Sequence, residues 1–269
     1  MSVISPRDFS AVARSKGGSE AGVLPPSLLV PSKVYAAISG DAADAGQGFP
    51  QRRVRWGRRS SAVGHPVGGP AKRVFDIAVA SVALVLLSPL LLVIASAIKL
   101  LTGGDVIYRH RRVGMNGRLF NCLKFRTMVP NGDEVLRWHI QNDPAAAEEW
   151  RMTRKLANDP RVTPLGYLLR KTSLDELPQL FNILRGDMSC VGPRPIVADE
   201  LHFYGENASY YMKARPGITG LWQVSGRSLL SYQERVQYDV RYVREWSLRA
   251  DMAILVRTIP AVLKTDQAA

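Results

Sequence analysis

Between Arg161 and Arg194 the chain brackets carboxylates with cations: Arg170 and Lys171 precede Asp175-Glu176, and Asp187 and Arg194 follow. Chemistry at a phosphate needs cations to neutralise its oxygens, and carboxylates if it uses a divalent metal or a covalent nucleophile. An aspartate at a helix start feels the positive end of the helix dipole, which favours its ionised form. Asp175 could then attack phosphorus while Glu176, or both carboxylates together, held Mg²⁺ against the phosphate charge. Arg194 lies in Gly192-Pro193-Arg194-Pro195, where the two prolines hold the backbone extended and Gly192 permits close approach of a ligand. An Asp-Glu pair taken alone is as readily a helix cap, so it is the surrounding cations that make this one a candidate site.

Elements of recognisable type must position these groups. Ser173 with Glu176 three residues on fits a capping box, opening a helix that runs to about Leu184 and stops at Gly186. Pro178 is tolerable only in a first turn, which fixes that start. A short helix over 166–171 precedes it, with Leu165, Leu168 and Leu169 facing inward. Residues 133–157 read as a helix interrupted at Pro144. Upstream, 105–108 and 118–125 read as two strands, and Asn116-Gly117 between them is a hairpin signal. This small basic β-hairpin carries Arg109, Arg111, Arg112, Lys124 and Arg126, cations suited to phosphate or to lipid headgroups.

A long apolar segment, 74–101, precedes the hairpin, and Ile77 to Ile98 has no charged side chain. At about 1.5 Å per residue that length covers the hydrocarbon thickness of a bilayer, so a single span is one reading. Both flanks, however, are basic, with Lys72 and Arg73 before and Lys99, Arg109, Arg111 and Arg112 after. Lys and Arg concentrate on the cytoplasmic side of a membrane. Ser88-Pro89 lies mid-segment, where a missing N–H and a ring clash bend a helix. A re-entrant helix hinged at Ser88-Pro89, entering and leaving one leaflet, meets both facts. Near the C-terminus Leu248, Met252, Leu255, Ile259, Val262 and Leu263 recur at helical spacing, giving an amphipathic helix for core or membrane interface.

The fold class that follows is α+β and mainly helical, in a monotopic membrane protein. Residues 1–70, rich in Gly, Ala, Ser, Pro and Arg, read as a disordered cytoplasmic tail, and 71–269 as one membrane-associated domain. The 269 residues carry a net charge of +13 and a pI near 10.1, which calls for an acidic partner. With the cations clustered beside an apolar segment, that partner is read as anionic lipid or a phosphorylated substrate and not nucleic acid. Cys122 and Cys190 lack metal-ligand spacing and read as buried thiols. The N-terminus has no signal-peptide pattern.

From about Lys72 onward the chain resembles the bacterial sugar transferases, the monotopic polyprenyl-phosphate hexose-1-phosphate transferases. Seven ordered blocks spread over about 200 residues carry the resemblance. They are Lys72-Arg73-Val74-Phe75-Asp76, Ser88-Pro89, Arg111 to Gly114 with Lys124 to Met128, Asn158 to Thr163, Leu169 to Gln179, Val191 to Pro195, and Arg215 to Arg227. No single block would suffice.

The resemblance implies that Asp175 is the nucleophile on the β-phosphate of a UDP-sugar, releasing UMP and forming a covalent sugar-phosphoryl enzyme. Undecaprenyl phosphate then accepts the phosphosugar. It implies Mg²⁺ held at Asp175 and Glu176, with Arg170 and Arg194 clamping phosphates and Arg112, Lys124 and Arg126 binding substrate. It implies the inner membrane, with the catalytic part on the cytoplasmic face. The Arg215 to Arg227 block resembles the branch that initiates exopolysaccharide assembly. The sugar is not readable, and a homo-oligomer is left open. The competing class is a membrane-anchored, non-catalytic scaffold whose basic surface binds lipid or an acidic partner.

Overall fold

A computed structural model describes residues 66–153 and 155–263. Most of the tail expected at 1–70 lies outside the described residues. Eight α-helices and two small sheets make up this part. Helix α1 (Gly69–Thr102) is followed by β1 (Ile107–Val113) and β2 (Leu119–Phe125), then α2 (Gly132–Asn142), α3 (Pro144–Thr153) and α4 (Pro164–Lys171). Helix α5 (Gln179–Arg185) and β3 (Ser189–Val191) come next. After a long 3₁₀ segment, Ala198–Asn207, lie α6 (Ala208–Lys213), β4 (Gly217–Thr219), α7 (Tyr232–Arg244) and α8 (Leu248–Leu263).

Helix α1 has 34 residues, and its most apolar 18-residue window has a mean hydropathy of 2.8 with only 11% of it buried. A soluble core helix of that hydropathy would be largely enclosed, so this one is suited to lipid. The helix continues through Ser88-Pro89 without a break. Pro89 cannot donate to Val85 O four residues back, and Ser88 Oγ donates to that carbonyl instead at 2.9 Å.

Both ends of α1 are fastened to the same folded body. At its start Lys72 Nζ donates to Asp251 Oδ2 of α8 at 2.7 Å, and Asp251 also accepts from Tyr242 and Trp246. One turn on, Asp76 Oδ1 accepts from Ser189 Oγ and the Cys190 N–H of β3. At its end Ile94 and Ile98 pack with Phe125 and Leu169.

Strands β1 and β2 pair antiparallel, with Arg112 opposite Phe120 and Tyr108 opposite Lys124. Asn116 and Gly117 both take left-handed φ, 59° and 72°, and close the turn between them. Strand β1 runs on to Val113, beyond the expected 105–108. The extension is held at its end, where the Val113 N–H donates to Ile196 O. Strands β3 and β4 are parallel. A Cβ on Gly192 would lie 2.4 Å from Arg215 O, so this glycine lets two main chains meet, and not, as expected, a ligand.

The interruption expected at Pro144 is present: α2 ends at Asn142 and α3 starts at Pro144, where Asp143 Oδ1 accepts from the N–H groups of Ala145 and Ala146. Two sequence expectations are corrected. Leu168 is exposed and Leu169 alone of the trio is fully buried, since α4 is only eight residues long and has a narrow inner face. The capping box at Ser173 does not form. Ser173 takes a left-handed conformation (φ 57°) with no side-chain cap, Leu174–Glu176 is a 3₁₀ turn, and α5 starts at Gln179 after Pro178.

Asn182 on α5 ties this region to β2. It is fully buried, and its Oδ1 accepts from Leu123 N while its Nδ2 donates to Asn121 O, at 2.9 and 2.8 Å. These bonds fix β2 one residue before Lys124. Replacing Asn182 by Ala leaves the Leu123 N–H and the Asn121 carbonyl without partners. Chemical denaturation in detergent should show a loss of about 2–4 kcal/mol, against no resolvable change for Asn142→Ala on the exposed face of α2.

Candidate active site

The left-handed Ser173 turns the chain out of α4 so that the following 3₁₀ turn presents its carboxylates to β2. Lys124 receives them: its Nζ lies 2.7 Å from Glu176 Oε1 and 3.6 Å from Asp175 Oδ2. A strained conformation held beside a charged cluster is a recurring mark of functional sites. Lys124 and Glu176 line a cleft of about 300 Å³, open to solvent, with Arg112, Gln179, Arg194 and Gln223 among others, and Asp175 meets it through Lys124 without lining it.

Each cation has its own support. Arg112 donates to Pro195 O, pairs with Glu200 at 3.6 Å and lies 3.1 Å from His110 Nδ1. Arg194 is exposed, with its guanidinium over the Trp222 ring at 5.9 Å. Arg170 Nε donates to Thr127 Oγ1 at 2.8 Å, which leaves the charge acting on Asp175 without a direct ion pair. Arg126 lies apart from these cations. It pairs with Asp105 at 3.6 Å and does not line the cleft, because β2 ends at Phe125 and Arg126 lies beyond it.

The two carboxylates are driven apart. Burial pushes Asp175 above the usual aspartate range and Glu176 adds to this, while Lys124 and Arg170 oppose them. Burial acts on Glu176 in the same sense, but Lys124 outweighs it together with Arg194 and Arg112, and Glu176 ends below its ordinary value. Burial would lower Lys124, yet Glu176 and Asp175 hold it above its ordinary value and keep it charged. His110 is lowered to about 4 by burial, Arg112 and Lys124, and stays neutral. Two neighbouring carboxylates with separated affinities for a proton are suited to different tasks.

As donors for a metal, Asp175 and Glu176 form a pair with no third acidic, His or Cys side chain grouped with them among the described residues. Mg²⁺ is commonly held by one or two carboxylates, with water and substrate phosphates completing its shell. The pair could supply the two carboxylates of such a shell and does not form a closed metal cage.

The sequence reading missed Gln179, Gln223 and Cys122 at this cleft. Gln179 was detectable as the residue one turn beyond Asp175. The others depend on strand facing and on the β3–β4 junction, which leave no local pattern.

Residues 68–265 match the family model described as bacterial sugar transferase. The exopolysaccharide production protein ExoY of Rhizobium meliloti is 60% identical over 197 residues, covering 73% of this chain and 87% of the relative. The undecaprenyl-phosphate galactose phosphotransferase of Salmonella typhimurium is 53% identical over the same share of this chain but only 41% of its own length. A UDP-glucose:undecaprenyl-phosphate glucose-1-phosphate transferase of Caulobacter vibrioides is 41% identical, covering 73% and 71%.

Lys124 lowers the proton affinity of both carboxyls, so Lys124→Met should move both titrations to higher pH. Infrared difference spectra with isotope-labelled aspartate and glutamate would report each shift. Unchanged titration of Glu176 would contradict the assigned pairing.

Proposed function

The chain belongs to the bacterial sugar transferase family, and from that premise we propose that it transfers a hexose-1-phosphate from a UDP-sugar to undecaprenyl phosphate, releasing UMP, to start exopolysaccharide assembly. The observation that carries this reading is the Asp175–Lys124–Glu176 cluster beside a cleft that Arg112 and Arg194 also line.

An oxygen of the Asp175 carboxylate attacks the β-phosphorus, the bond from that phosphorus to the bridging oxygen breaks, and UMP departs with its electron pair. The product on the protein is an acyl phosphate bearing the sugar. An oxygen of undecaprenyl phosphate then attacks the same phosphorus and Asp175 leaves as carboxylate. One phosphoanhydride replaces another, so the overall free-energy change is small and the barrier is divided into two displacements. Lys124 opposes the rise that burial causes at Asp175 and so favours its anion, and Arg112 and Arg194 balance charge on the diphosphate. Mg²⁺ bound at Asp175 and Glu176 would supply further neutralisation of phosphate oxygens.

One substrate is soluble and the other is confined to a bilayer, so the site belongs at a membrane surface. We read α1 as a re-entrant helix bent at Pro89, with both flanks on the cytoplasmic face of the inner membrane. Support comes from its basic flanks and from the attachment of both its ends to one folded body. Helix α8 agrees: Met252, Val256 and Ile259, 54%, 67% and 64% exposed, form an outward apolar stripe suited to the interface.

Asp175→Asn should reduce UMP release from membranes supplied with UDP-sugars, undecaprenyl phosphate and Mg²⁺ by at least about 10³-fold, and should abolish trapping of radiolabelled sugar phosphate on the protein. Full turnover by this variant would remove Asp175 as nucleophile, and no UMP from wild type with any donor would favour the scaffold. For topology, cysteines placed at Ala71 and Asp105 should both react with a membrane-impermeant reagent from the cytoplasmic side, while native Cys122 and Cys190 are buried and stay silent. Labelling of either introduced site from the periplasm would restore a full span.

A further inference from the structure

A second cleft of about 310 Å³ adjoins the catalytic one, and Arg194 lines both. Its other walls include Glu200 and Tyr204 of the 3₁₀ segment, Trp222 after β4, and Tyr232 and Asp239 of α7. The mechanism above uses none of these five.

Two of these lining residues each carry a buried polar atom that has no hydrogen-bond partner. These atoms are Trp222 Nε1 and Asp239 Oδ1, in residues only 5% and 2% exposed. Asp239 Oδ2 is satisfied by the Tyr204 hydroxyl at 2.6 Å, which holds the carboxyl in one orientation. Leaving a donor and a carboxyl oxygen buried and unpaired costs free energy that a folded core normally avoids. Unpaired groups lining a cleft are what a ligand with both donors and acceptors would satisfy.

Resting on the transferase reading, we propose that this second cleft is the hexose subsite, where Trp222 Nε1–H and Asp239 Oδ1 bind sugar hydroxyls and set which UDP-hexose is used. A hydroxyl both donates and accepts, so it can meet an indole N–H and a carboxyl oxygen alike. Burial pushes Asp239 up to about 8, opposed by the Tyr204 hydroxyl and by both the charge and the main-chain N–H of Arg194. The carboxyl is therefore largely protonated at neutral pH and can itself donate. Uracil fits less well, because the Trp222 ring already has the guanidiniums of Arg194 and Arg235 over it, at 5.9 and 5.0 Å. With the ring face engaged by cations, the indole offers its N–H edge, which suits hydroxyls better than a stacked base. Glu200 disfavours a third phosphate and is compatible with an uncharged polyol. The location also fits: Arg194 joins the cleft to the one assigned to the diphosphate, and the hexose is attached directly to the phosphate that Asp175 attacks.

The test uses the full-length protein in membranes, with UDP-galactose and UDP-glucose, epimers at one hydroxyl, and with UDP as a competitive inhibitor that lacks the sugar. Trp222→Phe keeps an aromatic ring but removes the N–H together with one ring of the indole, and Asp239→Ala deletes the carboxyl. Each variant should raise KM for the better wild-type donor about tenfold and narrow the ratio of kcat/KM between the epimers. Inhibition by UDP should stay within about twofold of wild type. If Trp222→Phe leaves KM and the epimer ratio unchanged, the subsite is overturned even if Asp239→Ala fails to fold. Weakening of UDP inhibition by the same factor as the donor KM would overturn it too, since the cleft would then hold the nucleotide. Absence of turnover by wild type with every donor overturns the transferase reading and this subsite together, whereas loss of selectivity effects alone removes only the subsite.

Discussion

Lys124 is one cation shared by two carboxylates in a half-buried cleft, and the rest of the site is arranged around that sharing. Burial as deep as that of Asp175 favours the protonated carboxyl, which is the poorer nucleophile. A charged neighbour offsets this, but only if it is held in place and kept charged itself. Glu176 helps to keep Lys124 charged, and β2 holds its main chain. The grip of Asn182 on Asn121 and Leu123 then ties that strand to the helix that follows the two carboxylates. The chain thus closes a loop of constraints in which the strand bearing the cation and the turn bearing the anions cannot drift apart.

The same economy of contacts joins the site to the bilayer. The start of α1 is bound through Lys72 and Asp76 to α8 and β3, and β3 leads directly into Gly192-Pro193-Arg194. The end of α1 packs on Phe125 and Leu169, neighbours in sequence of Lys124 and Arg170. The apolar helix is therefore continuous in packing with both sides of the cleft. A lipid-borne phosphate reaching the surface beside α1 would meet groups whose positions are referred to that helix.

Some of this was legible in short stretches of sequence. The charge-free run from Ile77 to Ile98 specifies an apolar helix by length alone. Asn116-Gly117 specifies a tight turn because both residues tolerate left-handed φ, and Gly186 ends α5 for the same reason. Where local pattern misled, a competing interaction explains it. Ser173 and Glu176 have capping-box spacing, yet Ser173 is left-handed and Glu176 is drawn to Lys124, 52 residues away in the chain. Arg126 looked equivalent to Lys124, but it lies beyond the end of β2 at Phe125 and pairs with Asp105.

Residue types and their order determined the chemistry available here: carboxylates among cations, an apolar membrane segment with basic flanks, and the motif blocks that identify the family. Those are local properties, carried by covalent neighbours and by side-chain identity. Only the tertiary structure decided which cations face which carboxylates, that Gly192 serves a chain crossing, and that Trp222 and Asp239, 17 positions apart in the sequence, share one cleft wall. Burial and pairing depend on groups distant in the chain, so no stretch of sequence contains them, and they are what set the charge states on which the chemistry runs.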